Sequence, residues 1–144
     1  MSSLDAVANR TRVRDLMSKE LATIAPEAPI SGALTQMVRA NVGSLVVTRH
    51  TGPGLRRADI LGLLPVFFAV RASVGASDDV PVARVAVQTS IMVRADETIG
   101  SVLARMTNNE TWRLIVLDGD DVVGLISATD IVRLFSRTER ENDE

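Results

Sequence analysis

At 144 residues and 46% hydrophobic side chains the chain is long enough to bury a core unaided, and having no Cys excludes a disulfide framework, a thiolate metal site and a cysteine nucleophile. A formal net charge of −2 argues against the basic face that nucleic-acid-binding domains carry. Met1-Ser-Ser-Leu-Asp5 is not a basic segment leading into an apolar run, and no stretch is long and uncharged enough to span a bilayer, so a cytoplasmic protein with neither membrane nor nucleic-acid partners is expected.

Residues 1–12 are polar, with little periodicity, and read as an arm or a short helix. From Val13 the chain can be laid over itself. Ala22-Thr-Ile24 is a short apolar strand, Glu27 an acidic helix starter, and Ile30, Ala33, Leu34 and Met37 follow the spacing of an amphipathic helix with Met37 as core filler. Ser44-Leu-Val-Val-Thr48 is a β-rich run. A Gly/Pro loop from Arg49 to Arg57 carries the single histidine, His50, read as solvated; Ile60-Leu-Gly62-Leu-Leu64 and a closing helix from Pro65 to about Ser73 follow.

After a linker, the same order returns. Ile91-Met-Val93, the acidic pair Asp96-Glu97 and the helical positions Ile99, Val102, Leu103 and Met106 stand 69 places beyond their counterparts, as does the β-rich Arg113-Leu-Ile-Val-Leu117. Asp118-Gly119 is a tight hairpin signal leading through Val122 and Val123 into Gly124-Leu-Ile-Ser127, and a closing helix runs from Ala128 to about Arg137. Gly62 and Gly124 are only 62 places apart, so the first hairpin carries seven extra residues. The expected division is an arm at 1–12, a first repeat at 13–74, a linker at 75–81, a second repeat at 82–137 and a charged, unpacked tail at 138–144. The fold class is α+β: a tandem β-α-β-β-α repeat of two small sheets flanked by helices. One such unit is too small to cover its own sheet, so the copies are expected to pack about a pseudo-twofold axis with two related clefts between them.

Gly124-Leu-Ile-Ser-Ala-Thr-Asp130 carries the chemistry. Ser127 sits where the strand hands over to the helix, whose unpaired amides and positive dipole end can hold an anion such as a phosphate. Asp130, on the first helical turn, can accept hydrogen bonds from two vicinal hydroxyls, as the acidic residue of a dinucleotide fold does with ribose. The competing reading of Ser-x-x-Asp is a capping box, each side chain satisfying an orphan amide. Arg113 is either a phosphate partner or an ordinary strand end, and Trp112, the one tryptophan, reads as interface core in preference to a base-stacking ring. With one loop histidine and no Gly-rich phosphate loop, nothing supports an enzyme.

The duplicated unit, the β-rich runs at Ser44–Thr48 and Arg113–Leu117, and the Gly124-Leu-Ile-Ser-x-x-Asp130 signature resemble a cystathionine β-synthase (CBS) domain pair, or Bateman module, over roughly residues 13 to 135. The resemblance implies a regulatory module without catalysis, cofactor or metal. It implies an adenine nucleotide (AMP, ADP or ATP) or S-adenosylmethionine bound between the copies, self-association of two pairs into a flat homodimer, and an effector protein that responds. By the same resemblance Asp130 binds ribose hydroxyls, Ser127 and Arg113 the phosphate, and Met17, Ala22 and Gly43 the adenine. The first copy departs from the pattern: Pro65 replaces the hydroxyl, Phe68 the carboxylate, and Ser44 stands where the second copy has Arg113. One intact site and one blank one are expected; the alternative is a ligand-free dimerisation or partner-binding module.

Overall fold

The computed structural model describes residues 2–75, 78–88 and 92–142. Two three-stranded sheets carry the fold, β1-β2-β3 and β4-β5-β6, each with a parallel pair and an antiparallel hairpin. The strands are β1 (Thr23–Ile24), β2 (Ser44–Val47), β3 (Gly62–Pro65), β4 (Met92–Arg94), β5 (Arg113–Asp118) and β6 (Asp121–Ser127). The helices are α1 (Ser3–Arg10), α2 (Ile30–Ala40), α3 (Val66–Ser73), α4 (Ile99–Asn109) and α5 (Ala128–Asn142). The tandem α+β repeat is therefore present. Ile91, read as the start of a strand, and Ala76 and Ser77 of the linker lie outside the described residues.

The helices form where the apolar spacing puts them. Ile30, Ala33 and Met37 are buried on α2, and Ile99, Val102 and Met106 on α4. Both helices end on a residue in the left-handed conformation, Asn41 (φ 53°) and Glu110 (φ 49°), which lets the chain turn back toward the sheet. Glu27 and Glu97 do not start these helices. Thr98 caps α4 by accepting from the Ser101 amide, Glu97 pairs with Arg105, and Glu27 pairs with Arg49.

The compact units are cut differently from the sequence repeats. One consists of residues 1–20 with 91–144, the other of 21–90. In each, the segment preceding a repeat's first strand crosses the sheet edge of the unit it joins. Ser18 bridges Leu125 of β6, and Val87 bridges Leu63 of β3. The two segments follow one path: the Ile99 amide donates to the Thr11 carbonyl as that of Ile30 does to Val80, and Val13 donates to Glu97 as Val82 does to Ala28. Gly124 and Gly62 make these crossings possible, since a Cβ would lie 2.5 Å from the Ser18 carbonyl oxygen at the first and 2.8 Å from that of Val87 at the second.

Two local readings need correcting, and Trp112 is placed besides. Residues 138–142 continue α5, and Thr138 is buried, because α1 packs against α5 and gives its last turns a neighbour. His50 is half-buried instead of solvated: Nε2 lies 2.9 Å from the Pro53 carbonyl oxygen and Nδ1 3.7 Å from Asp59, which with Leu55 in the core fastens the long first hairpin loop. Trp112 is 58% exposed, and its backbone carbonyl, not its ring, meets the site by accepting from the Ala128 amide.

Candidate functional site

The β6–α5 turn belongs wholly to the unit made of residues 1–20 and 91–144. Val122, Gly124 and Ile126 face inward on β6 while Ser127, its last residue, is half-buried. The strand's alternation brings the hydroxyl to the mouth of the turn as α5 begins. The capping box forms. Asp130 Oδ2 accepts from the Ser127 amide (2.8 Å) and hydroxyl (3.1 Å), and Ser127 Oγ in turn accepts from the Asp130 amide (3.3 Å). The structural and ligand-binding readings are thus not exclusive. The box consumes one carboxylate oxygen and orients the other, Oδ1, whose neighbour is Arg133 at 3.8 Å.

Arg113, the first residue of β5, stands opposite Ser127 in the antiparallel ladder. Among the described residues its half-buried side chain makes no hydrogen bond or ion pair, so its charge has no protein anion to neutralise it there. Met17 packs on the inward face of β6, its sulfur lying 2.9 Å from where a Cβ on Gly124 would be. Met17, Arg113, Ser127 and Asp130 therefore belong to one unit. Ala22 and Gly43 belong to the other, where their carbonyls accept from Val46 and Val66.

The aligned turn of the first repeat is built without polar groups. Pro65 precedes α3 and makes no side-chain cap, Ser44 is buried opposite it in the ladder, and Phe68 packs half-buried into the core. Arg71 occupies the place that Arg133 has in the second repeat. There Arg133 faces a carboxylate; here Arg71 lies over the Phe68 ring at 5.1 Å and the Phe67 ring at 5.6 Å. One substitution, Asp to Phe in sequence alignment, has turned an ion pair into a cation–π contact. The role of Arg133 beside Asp130 escaped the sequence reading; its i, i+3 spacing was the available signal.

A twice-repeated β-α-β-β-α unit, with an acidic residue and a hydroxyl at one strand-to-helix turn, defines a tandem α+β module. The CBS domain family matches residues 13–64 and again 79–137, and the chain belongs to that family. An uncharacterised conserved protein from Pyrococcus horikoshii superposes with a TM-score of 0.76 at 22% identity, covering 88% of this chain and 93% of that one. A CBS domain pair determined in complex with 5′-methylthioadenosine and S-adenosyl-L-methionine has a TM-score of 0.74 at 22% identity, over 88% of this chain and 97% of that one. The CBS domain of a bacterial CNNM/CorC family Mg2+ transporter, in complex with ATP, has a TM-score of 0.74 at 17% identity, with 90% of each chain covered. No curated protein matches the sequence. Among the described residues no helix is long and apolar enough to cross a membrane.

Proposed function

We propose that the protein is a regulatory module that binds an adenosine-containing ligand at the β6–α5 turn and has no catalytic role of its own. The observation that carries this reading is the unneutralised Arg113 set opposite Ser127 at the start of α5, with Asp130 held one turn away by the capping box. A phosphate meets Arg113, the Ser127 hydroxyl and the first helical amides; a ribose meets the Asp130 oxygen that the box leaves over. AMP, ADP and ATP fit this charge pattern better than S-adenosylmethionine, which brings a cation toward Arg113. Met17 is the apolar contact proposed for the base on this unit. The adenosine ligands of similar structures support the ligand class. In the first repeat the aligned Pro65 and Phe68 leave no equivalent donor and acceptor, so one ligand per chain is expected.

Thermal shift with AMP, ATP, adenosine and S-adenosylmethionine tests the proposal, because a ligand that binds only the native state raises the melting temperature. Much stronger stabilisation by AMP or ATP than by adenosine is the expected result. No shift with any of the four overturns it and leaves the assembly reading, in which Asp130 serves only as a helix cap.

A further inference from the structure

The two units differ in one respect that the repeat itself makes measurable. In the first, α1 lies across α4 and α5; Ala8 joins the core against which Leu103, Leu134 and Phe135 pack. Gly100 admits this helix, because a Cβ there would come within 3.2 Å of Asn9 Oδ1 and 3.7 Å of the Ala8 carbonyl oxygen. In the second unit a cavity of about 270 Å³ is lined by Ile30, Ser31, Leu34, Ala72, Ser73 and Val80, with Asp78 and Asp79 at its edge. Five of the lining residues are the sequence counterparts of Ile99, Gly100, Leu103, Leu134 and Phe135. The cavity corresponds to the seat of α1 in the other copy, and among the described residues no helix covers it. It is deepened because Leu134 and Phe135 are replaced there by Ala72 and Ser73.

We infer that this groove is a docking site for a short helix of a partner protein, one with apolar residues on its contact face and Lys or Arg at the end that meets Asp78 and Asp79. The internal copy identifies the shape of the occupant, since the same floor is covered by a helix in the other unit. Charge identifies its chemistry. Where α1 ends in Asn9 and Arg10, the aligned positions beside the groove are two exposed carboxylates; Asp79 is engaged by the Ser31 amide and hydroxyl, and among the described residues Asp78 has no such bond. A basic helix end therefore finds Asp78 as its partner, with the apolar floor of Ile30, Leu34 and Ala72 beneath it.

A fluorescent, helix-stapled peptide of residues 2–12, which ends in Arg10 and Arg12, probes the groove on the full-length chain; a second peptide has both arginines changed to Glu. The parent peptide is expected to bind at least about five-fold more tightly than the reversed one. Ala72→Arg, a helix-compatible change at a partly exposed position, should abolish binding, and Asp78→Lys should reverse the preference between the two peptides. Absence of saturable binding up to about 1 mM overturns the inference, as does binding that survives Ala72→Arg, which would mean the peptide displaces α1 from its own seat. Displacement of the peptide by spermidine at equal concentration would reassign the groove to small amines and overturn it too.

Discussion

Arg113 and Ser127 face each other across the last rung of the β5–β6 ladder. The ladder pairs the backbone of Arg113 with that of Ser127, the residue before α5, so under the proposed reading the contribution of Arg113 should depend on whether the ligand carries a phosphate. Losing a charge-assisted hydrogen bond typically costs about 1.5 to 3 kcal/mol. Arg113→Ala should therefore weaken AMP binding roughly ten- to a hundredfold. Adenosine should bind equally to both proteins by calorimetry. An equal loss for the two ligands would take the phosphate away from Arg113.

Asp130 and Phe68 occupy aligned positions and should respond in opposite ways. Asp130→Ala breaks the capping box, costing about 1 kcal/mol of stability, and removes the ribose acceptor, costing roughly ten- to a hundredfold in affinity. Phe68→Ala removes a half-buried ring and the surface over which Arg71 lies, costing about 2 kcal/mol, less than the 3 to 5 of a fully buried ring. Its stoichiometry should stay at one nucleotide per chain. Two nucleotides per wild-type chain, or binding indifferent to Asp130, would show that the first repeat's turn is not blank.

The repeat was legible because burial obeys the helical and strand periods that Ile30–Met37 and Ile99–Met106 display. The division into compact units was not, because it depends on backbone bridges made by Ser18 and Val87, and hydrogen bonds between main-chain groups leave little trace in residue type. Only Gly124 and Gly62 record it, as positions where a side chain would strike the crossing strand. At the site, Ser127 and Asp130 were readable as a capping box and as a ligand pair, and local spacing does not separate the two because both use the same atoms. The helix that covers α4 and α5 was readable only as an arm or a short helix, because residues 1–12 are polar and among those described Val7 and Ala8 alone are buried.

Gly124→Ala should cost about 1 to 3 kcal/mol, since the new methyl must displace the Ser18 backbone, held by two bonds to Leu125, and the Met17 side chain. Gly62→Ala should cost a similar amount through Val87. The two should differ in binding. Displacing Met17 should lower nucleotide affinity in Gly124→Ala, whereas Gly62→Ala should keep it, as titration of each folded variant will tell.

Acid should loosen the start of α2. Hydrogen bonds from the Ser31 hydroxyl and amide hold the Asp79 carboxyl below its ordinary 3.8. A native value below the unfolded one means that the stabilisation is fully present above the ordinary value and is lost as pH falls through the lowered one. Asp5, held down by Ser2, and Glu27, held down by Arg49, act in the same direction. Urea midpoints should therefore fall as pH drops below about 4, and Asp79→Asn should make that fall shallower. An unchanged acid slope in the variant would mean that the Asp79–Ser31 bonds do not survive in solution.

Self-association is expected to run through α3. Val66, Phe67 and Val70 of α3 are 36%, 64% and 47% exposed, and Val74, just past its end, is 77% exposed. The aligned positions on α5 are Ala128, Thr129, Val132 and Ser136, of which Val132 alone is a large exposed apolar residue. An exposed apolar patch on one helix and its near absence on the aligned one favours an interface formed by the α3 faces of two copies, with like meeting like about a twofold axis. Light scattering at micromolar concentration should give twice the chain mass. Phe67→Glu combined with Val70→Glu should give a folded monomer, because both side chains point outward and each charge would be buried unpaired in the dimer. Val132→Glu should leave the dimer intact. A wild-type monomer, or a dimer that survives the α3 pair and dissociates with Val132→Glu, would move the interface off α3.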